Sequence, residues 1–358
     1  MTLSQSHKCV VIILSCIVAA CASTPKDKQG AAAGKKSAAA ATADAAAGTA
    51  SRTDTQPRVT LQTGDNYVGD IIHELGQKVG GSLVLTNGAE LRAVGPLNFH
   101  QANYMVVAKT LAEAANCAIQ ECGGYLFLYP ADIPSYSALT NVSLTGKLDP
   151  AYGEARSAMT FGYGTRVYAA FSVLSHVLGI TVVADNAVAD MRCGELTLGE
   201  IPIEAALEAI LKSARVVAFN VDSTPEYIFF STQQNTAARD LLLNPDALNE
   251  HETNVLNKKV SVYLPEPQKD PAHFVASEGA SKLAEILPAL SKQLGVPVVA
   301  EEEIENLPVN PVVMNNVRMR TALDLLIRQW LQPDFGYQVL SDKILIRRRD
   351  KEKTPPAA

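Results

Sequence analysis

The chain has 358 residues, of which 47% are hydrophobic and 19% charged, and its formal net charge is −6. That length suggests two or three domains, and the hydrophobic fraction excludes a chain that is disordered throughout. The acidic balance argues against binding to the phosphate backbone of nucleic acids, because such proteins need a basic face. Six cysteines are too few for a scaffold held together by disulfides.

The first 21 residues have the pattern of a signal peptide. Lys8 precedes an apolar run from Cys9 to Ala20, which is shorter than the roughly 20 apolar residues of a membrane-spanning helix. The run ends in Val-Ala-Ala-Cys21 and resembles the lipobox of bacterial lipoproteins. This resemblance implies cleavage before Cys21, acylation of that cysteine and a lipid anchor at the periplasmic face of the outer membrane. The alternative is an ordinary secretory signal with a chance cysteine.

An alanine-rich segment follows the predicted anchor. Between Ala31 and Ala50, 12 of 20 residues are alanine, and the stretch has no large apolar side chain to bury. Such a sequence cannot offset the entropy lost on ordering. We therefore predict a flexible tether, with a segment that has no role as the alternative.

Three segments farther along share one pattern, in which a leucine stands five residues before a glycine and an aliphatic strand follows. They are 75–85, 174–184 and 290–300. A glycine just after a helix adopts the left-handed conformation at little steric cost, which ends the helix. The pattern predicts a helix followed by a strand, three times.

Each segment is followed by a short strand, a second amphipathic helix and a hairpin. The predicted second helices cover 102–116, 202–214 and 319–331. One of them carries apolar residues at helical spacing: Ile203, Ala206, Leu207, Ile210 and Leu211. With a leading strand, the order becomes β-α-β-β-α-β-β. We expect an α+β fold of three tandem small domains, each with two helices packed on a small mixed sheet.

These elements give the predicted domain boundaries. They are the signal peptide at 1–20, lipid anchor and tether at 21–57, domains at 58–131, 158–232 and 259–348, connectors at 132–157 and 233–258, and a tail at 349–358. In the second connector, Leu241-Leu-Leu243 predicts a short helix.

The repeated unit resembles the short N-terminal domains of bacterial secretins and TonB-dependent signal transducers. The matching residues are Ala206-Leu207 with Leu211, and Ala322-Leu323 with Leu325-Leu326. The first repeat departs from this pattern, with Thr110-Leu111 or Val107-Ala108 near that place. The resemblance covers most of 59–131, 158–232 and 260–348. In the family, such domains line the periplasmic vestibule of a channel and bind inner-membrane partners, often in rings.

A secretin continues into a C-terminal domain that forms an outer-membrane channel, and this sequence has no segment with that pattern. The resemblance therefore implies a lipid-anchored periplasmic scaffold of an envelope-spanning secretion machine (type IV secretion among them), or of a conjugation or pilus machine. Its expected partners are secretin or core-complex proteins, it can form a homo-oligomeric ring, and no nucleic acid is expected. The alternative is a solitary periplasmic lipoprotein that binds or senses a ligand or peptidoglycan.

No motif in the sequence predicts catalysis. The five histidines after the predicted cleavage site lack metal-ligand spacing, and neither a Gly-x-Ser-x-Gly turn nor a phosphate-binding loop is found. We therefore expect no enzymatic activity, no cofactor and no metal site.

Three cysteines lie beyond the predicted anchor. Cys117 and Cys122 flank Ala-Ile-Gln-Glu, where we place a hairpin turn, and could form a disulfide in an oxidising periplasm. Two buried thiols are the alternative. Cys193 is left over and is expected to be buried.

The sequence also contains two short charged runs, 301–303 and 347–349. The run 301–303 is predicted to be a solvated turn, or otherwise a partner contact. The run 347–349 is predicted to end an exposed strand, or otherwise to touch anionic lipid or an acidic partner.

Overall fold

The computed structural model describes residues 57–79, 81–264, 279–331 and 334–349. The signal peptide, Cys21, all but the last residue of the tether and residues 350–358 of the tail lie outside this part of the chain. Small mixed sheets and helices confirm the α+β fold class. From Arg58 onward the chain forms one compact unit, so its division into three tandem domains stays a prediction. We call 58–131, 158–232 and 259–348 the first, second and third units.

The first unit contains two helices and seven strands. They are β1 (Arg58–Gln62), β2 (Asn66–Tyr67), α1 (Val68–Val79), β3 (Leu83–Leu85), β4 (Ala93–Val94), β5 (Asn98–Asn103), α2 (Tyr104–Ala114), β6 (Cys117–Glu121) and β7 (Leu126–Pro130).

The second unit repeats this order without counterparts of the short strands β2 and β4 and with one added short helix, α4. Its elements are β8 (Arg156–Phe161), α3 (Val167–Leu178), β9 (Val182–Ala184), α4 (Asn186–Ala189), β10 (Leu196–Pro202), α5 (Ile203–Ser213), β11 (Phe219–Thr224) and β12 (Tyr227–Thr232). Two 3₁₀ helices, Pro134–Asn141 and Pro150–Tyr152, precede it. Strand β8 starts two residues before the predicted boundary at 158.

A connector and the third unit follow. Their elements are a 3₁₀ helix (Pro245–Ala247), α6 (Glu250–Asn257), β13 (Lys259–Leu264), β14 (Ser281–Lys282), α7 (Leu283–Leu294), β15 (Val298–Ala300), β16 (Pro308–Val309), β17 (Val312–Arg318), α8 (Met319–Ile327), β18 (Phe335–Val339) and β19 (Ile344–Arg348).

The predicted glycine stops are confirmed where the structure describes them. Helices α3 and α7 end at Gly179 and Gly295, which have φ angles of 65° and 76°. Gly80 lies outside the described residues. Helix α2 begins at Tyr104 rather than 102, because β5 continues to Asn103, whose side chain then caps the amide of Met105. Helix α8 ends at Ile327, four residues before its predicted end.

Apart from the two-residue pairs β2–β4 and β14–β16, the strands of each unit form two small sheets rather than one. The strand that begins a unit pairs antiparallel with the strand before its second helix. The strand after the first helix pairs parallel with the last strand of the unit, which also pairs antiparallel with the strand just before it. These pairs are β1–β5, β8–β10 and β13–β17, then β3–β7, β9–β12 and β15–β19, then β6–β7, β11–β12 and β18–β19. In each unit an irregularity in register interrupts the first of these pairings.

Neighbouring units join through strands. Strand β10 of the second unit pairs antiparallel with β3 of the first, which produces a five-stranded sheet in the order β6-β7-β3-β10-β8. Between the next two units, the amide of Asn315 on β17 donates to Oγ1 of Thr181 at 2.8 Å. Nδ2 of Asn315 donates to the carbonyls of Ser175 and Ile180, both at 2.8 Å. In both places, the strand before the second helix of one unit (β10 or β17) lies beside the strand after the first helix of the preceding unit (β3 or β9).

The helix predicted at Leu241-Leu-Leu243 is absent, and this prediction was wrong. The amides of Tyr337 and Leu243 instead exchange hydrogen bonds with the carbonyls of Leu241 and Tyr337, at 3.0 and 2.8 Å. This segment lies along β18, with Leu241 and Leu242 buried in the third unit's core. Its backbone groups bond to a strand far away in sequence, so local helix propensity does not decide its conformation.

Candidate protein-binding groove

Constant numbering offsets relate the inter-unit surfaces, with 99 residues between the first and second units and 116 between the second and third. These offsets align the middle residues of β3, β9 and β15. Val84 of the first unit is buried in the core of the second unit, and Val183 of the second unit in that of the third. Val299 has the same position in β15 but is only half-buried. In the first and second units this surface is covered by the unit that follows, whereas in the third unit it is open.

The helix before each of these strands is likewise covered by the next unit in the first two units and open in the third. On α1, Nδ1 of His73 lies 2.7 Å from Oε1 of Glu195 in the second unit. On α3, Oγ of Ser172 donates to the carbonyl of Pro311 in the third unit at 3.5 Å. The matching residue on α7 is Pro288, which lies at an open groove. The same helix face contacts the next unit twice and is open at its third occurrence.

A serine holds the second strand of a unit against its first helix. Oγ of Ser175 accepts a hydrogen bond from the amide of Val182 at 2.9 Å. Oγ of Ser291 accepts one from the amide of Val298, also at 2.9 Å. The helix and strand that form the open surface of the third unit are therefore held together as their buried counterparts are in the second.

The open surface is a groove of about 630 Å³ between α7 and β15. Its lining is mainly apolar and includes Leu287, Pro288, Val296, Val298 and Val299. At the corresponding place in the second unit, residues Asn310, Pro311 and Val312 of the third unit fill the space and leave only about 10 Å³. A polypeptide segment thus fits a surface of this shape elsewhere in the same molecule.

Strand β15 also has an open edge. In the described part of the chain it pairs on one side only, with β19. An unpaired strand edge beside an apolar groove is the geometry that accepts an added strand from another polypeptide, because backbone hydrogen bonds supply affinity and pockets supply specificity.

The opposite end of the described chain carries the complementary element. Leu97, just before β5, and Phe99, on β5, are half-buried. Their counterparts in the later units have exposures of 5% or less: Leu196, Leu198, Val312 and Met314. Among the described strands β5 pairs only with β1. The first unit therefore lacks the neighbour that covers the other two at this position.

The two cysteines of the predicted disulfide lie apart. Both are free thiols, with Cys117 at the start of β6 and Cys122 just beyond its end. The residues between them, predicted as a turn, are the strand itself, and an odd spacing along a strand places two side chains on opposite faces. The structure therefore does not bring these sulfurs together. Cys193 is fully buried, as expected, and Cys21 lies outside the described residues.

The two charged runs contact one another. Oε1 of Glu301 lies 3.4 Å from Nε of Arg347, and Oε2 accepts from the amide of Arg348 at 3.1 Å. A longer ion pair of 4.0 Å joins Glu303 to Arg348. The acidic run is thus tied to the end of β19, next to the strand that lines the groove.

Two further ionisable groups are buried away from the groove. Lys212, with 2% exposure, pairs with Glu208 at 3.0 Å and lies over the rings of Tyr125 and Phe127. Burial raises the pKa of Asp324 to about 7, although the amide of Leu241 donates to its carboxylate. Lys212 thus packs where the second unit meets the first, whereas Asp324 belongs to the packing of the third unit and its connector.

Burial also acts at the first inter-unit contact. It raises the pKa of Glu195, against the opposing effects of hydrogen bonds from His73 and the amide of Tyr163. Within the described residues, no three metal-ligating side chains come together as a metal site. None of the helices in this part of the chain has the length and apolar character needed to cross a membrane.

A scan of protein-family models finds no match to the chain. No curated protein matches it either. The interpretation of the groove therefore rests on the geometry of the repeated units.

Proposed function

We propose that this protein is a lipid-anchored periplasmic scaffold of an envelope-spanning secretion, conjugation or pilus machine. In this proposal its secretin-N-like units bind other envelope proteins. The outer membrane holds it through Cys21, and it has no catalytic role, cofactor or bound nucleic acid. The single observation that supports protein binding is the groove between α7 and β15, whose counterpart in the second unit is filled by polypeptide of the third.

The groove favours a peptide chain over a small molecule for two reasons. It is open and mainly apolar, whereas small-molecule sites enclose most of the ligand and add a few convergent polar groups. It also runs along the edge of β15 that no described strand pairs with, and such an edge offers backbone donors and acceptors that an extended chain can satisfy.

Affinity purification of the tagged full chain from bacterial envelopes tests the proposal. We expect secretin or core-complex proteins to copurify, and Val299→Glu to remove them because it places a charge in the apolar groove. Val217→Glu is the matched control, since Val217 is 49% exposed in the second unit. Recovery of no envelope-machine protein would contradict the proposal. Binding to purified peptidoglycan sacculi instead would support the solitary lipoprotein.

A further inference from the structure

We infer that the groove of the third unit binds the first unit of a second copy of this protein, with β5 of that copy adding to the edge of β15. The inference builds on the proposed protein-binding function by naming the partner chemistry. It extends an interface that the chain forms twice. Strand β10 pairs with β3 between the first and second units, and Asn315 on β17 forms hydrogen bonds to residues beside β9 between the second and third.

The register of the contact follows from the observed pairing of β3 with β10. In that pairing Val84 is opposite Leu196, and Leu83 is opposite Thr197. By the same numbering offsets, Val299 is equivalent to Val84 and Leu97 is equivalent to Leu196. The contact between copies would therefore place Val299 opposite Leu97 of the second copy. Val299 and Leu97 are both half-buried, and each would gain the apolar neighbour that its counterparts already have.

A backbone hydrogen bond beyond the strand supports the same arrangement. The amide of Asn87 donates to the carbonyl of Ser213 at 2.7 Å, and the amide of Asn186 donates to the carbonyl of Gln329 at 2.8 Å. The same offsets place Glu302 in the donor position after β15 and Ala114, at the end of α2, in the acceptor position of the second copy. One chain therefore carries both complementary surfaces of the repeated interface, one on its third unit and the other on its first.

Such a contact is head-to-tail, because two different surfaces meet. A two-fold axis cannot relate the partners, so the contact does not end with a dimer. Each added copy leaves one groove and one β5 edge open until the rotation between copies closes a ring.

Cysteine cross-linking tests the predicted register. Full-length Leu97→Cys and Val299→Cys variants are purified separately, mixed and oxidised. Residues directly opposite on antiparallel strands have Cβ atoms about 4.5–5.5 Å apart, close enough for a disulfide after small shifts. We expect a disulfide-linked dimer from the mixture. Pairing Leu97→Cys with Val217→Cys controls for random collision, and equal cross-linking in that mixture would overturn the inference.

Sedimentation of the otherwise unaltered full chain provides the second measurement. We expect association that increases with concentration and is weakened about tenfold or more by Val299→Glu, with unchanged near-ultraviolet circular dichroism. A chain that stays monomeric at its highest soluble concentration would contradict the inference. If Val299→Glu removes envelope proteins in the purification above but no cross-link forms, the proposed function stands and the self-association fails. If the cross-link forms but no envelope protein copurifies, the self-association stands and the proposed function fails.

Discussion

Gly76 on α1 packs directly against Thr197 on β10, so closely that a Cβ added to the glycine would lie 2.5 Å from Cγ2 of the threonine. The contact joins the first unit to the second at the strand pair that unites their sheets. It is possible only because the helix has no side chain there. The helix position therefore serves the interface between units rather than the stability of the helix.

Replacing this glycine tests that relationship. Alanine is the better helix former by about 1 kcal/mol, yet we expect Gly76→Ala to destabilise the protein by about 1–3 kcal/mol, because the added methyl group overpacks the interface. Urea unfolding measures the change. Gly64→Ala is the control, since nothing lies within 4 Å of its added Cβ. A stabilised Gly76→Ala protein would show that the units are not in this contact.

The buried Lys212–Glu208 pair allows a second prediction. Lys212→Met leaves the Glu208 carboxylate without its cation in a site of low exposure, and losing one partner of a buried pair costs about 3–5 kcal/mol. Lys78→Met breaks the exposed pair with Glu74, which has the same four-residue spacing, and should cost less than about 0.5 kcal/mol. Equal effects of the two substitutions in chemical denaturation would refute the burial of Lys212.

A third prediction concerns pH. Burial raises the pKa of Asp324 from 3.8 to about 7, so folding favours the protonated carboxyl group. The stabilisation is complete below about pH 4 and is lost as the pH rises through 7. Asp324→Asn keeps an oxygen that can accept from the amide of Leu241. We expect this variant to lack that loss of unfolding free energy between pH 4 and 7.

Unfolding of the wild type and variant at a series of pH values measures this difference. Asp342→Asn removes an exposed carboxylate from the same unit and is the matched control. A parallel pH dependence in wild type and Asp324→Asn would show that Asp324 is not buried as the structure has it.

The cysteines give a fourth prediction. Burial raises the pKa of Cys117 to about 11 and that of Cys193 to about 12, so both are protonated thiols at pH 8 and are shielded from reagents. Of these three residues, we expect Cys122, which is half-buried, to react first with an alkylating reagent. Peptide mass mapping identifies the modified residue, with unfolded protein as the fully labelled control. A peptide pair linked between Cys117 and Cys122 would contradict the structure.

Much of the local structure could be predicted from the sequence because the signals are local. The glycines at 179 and 295 end their helices because they adopt positive φ angles, and the apolar stripe of α5 is buried as its spacing indicates. Leu241-Leu-Leu243 was mispredicted because its hydrogen-bond partners lie near Tyr337, almost a hundred residues away. The hairpin turn placed between Cys117 and Cys122 failed for a similar reason, since pairing with β7 extends the strand through it.

The sequence by itself determined three repeats of one order of elements, because helix stops and hydrophobic periodicity depend on residues close together in the chain. Only the tertiary structure decided which surfaces are covered. Val84, Val183 and Val299 are all valines after an aliphatic residue, and nothing local distinguishes them. Val84 and Val183 are buried because another unit follows each of them, whereas Val299 lines a groove. Burial depends on neighbours brought together by folding, and this decides where the candidate binding site lies.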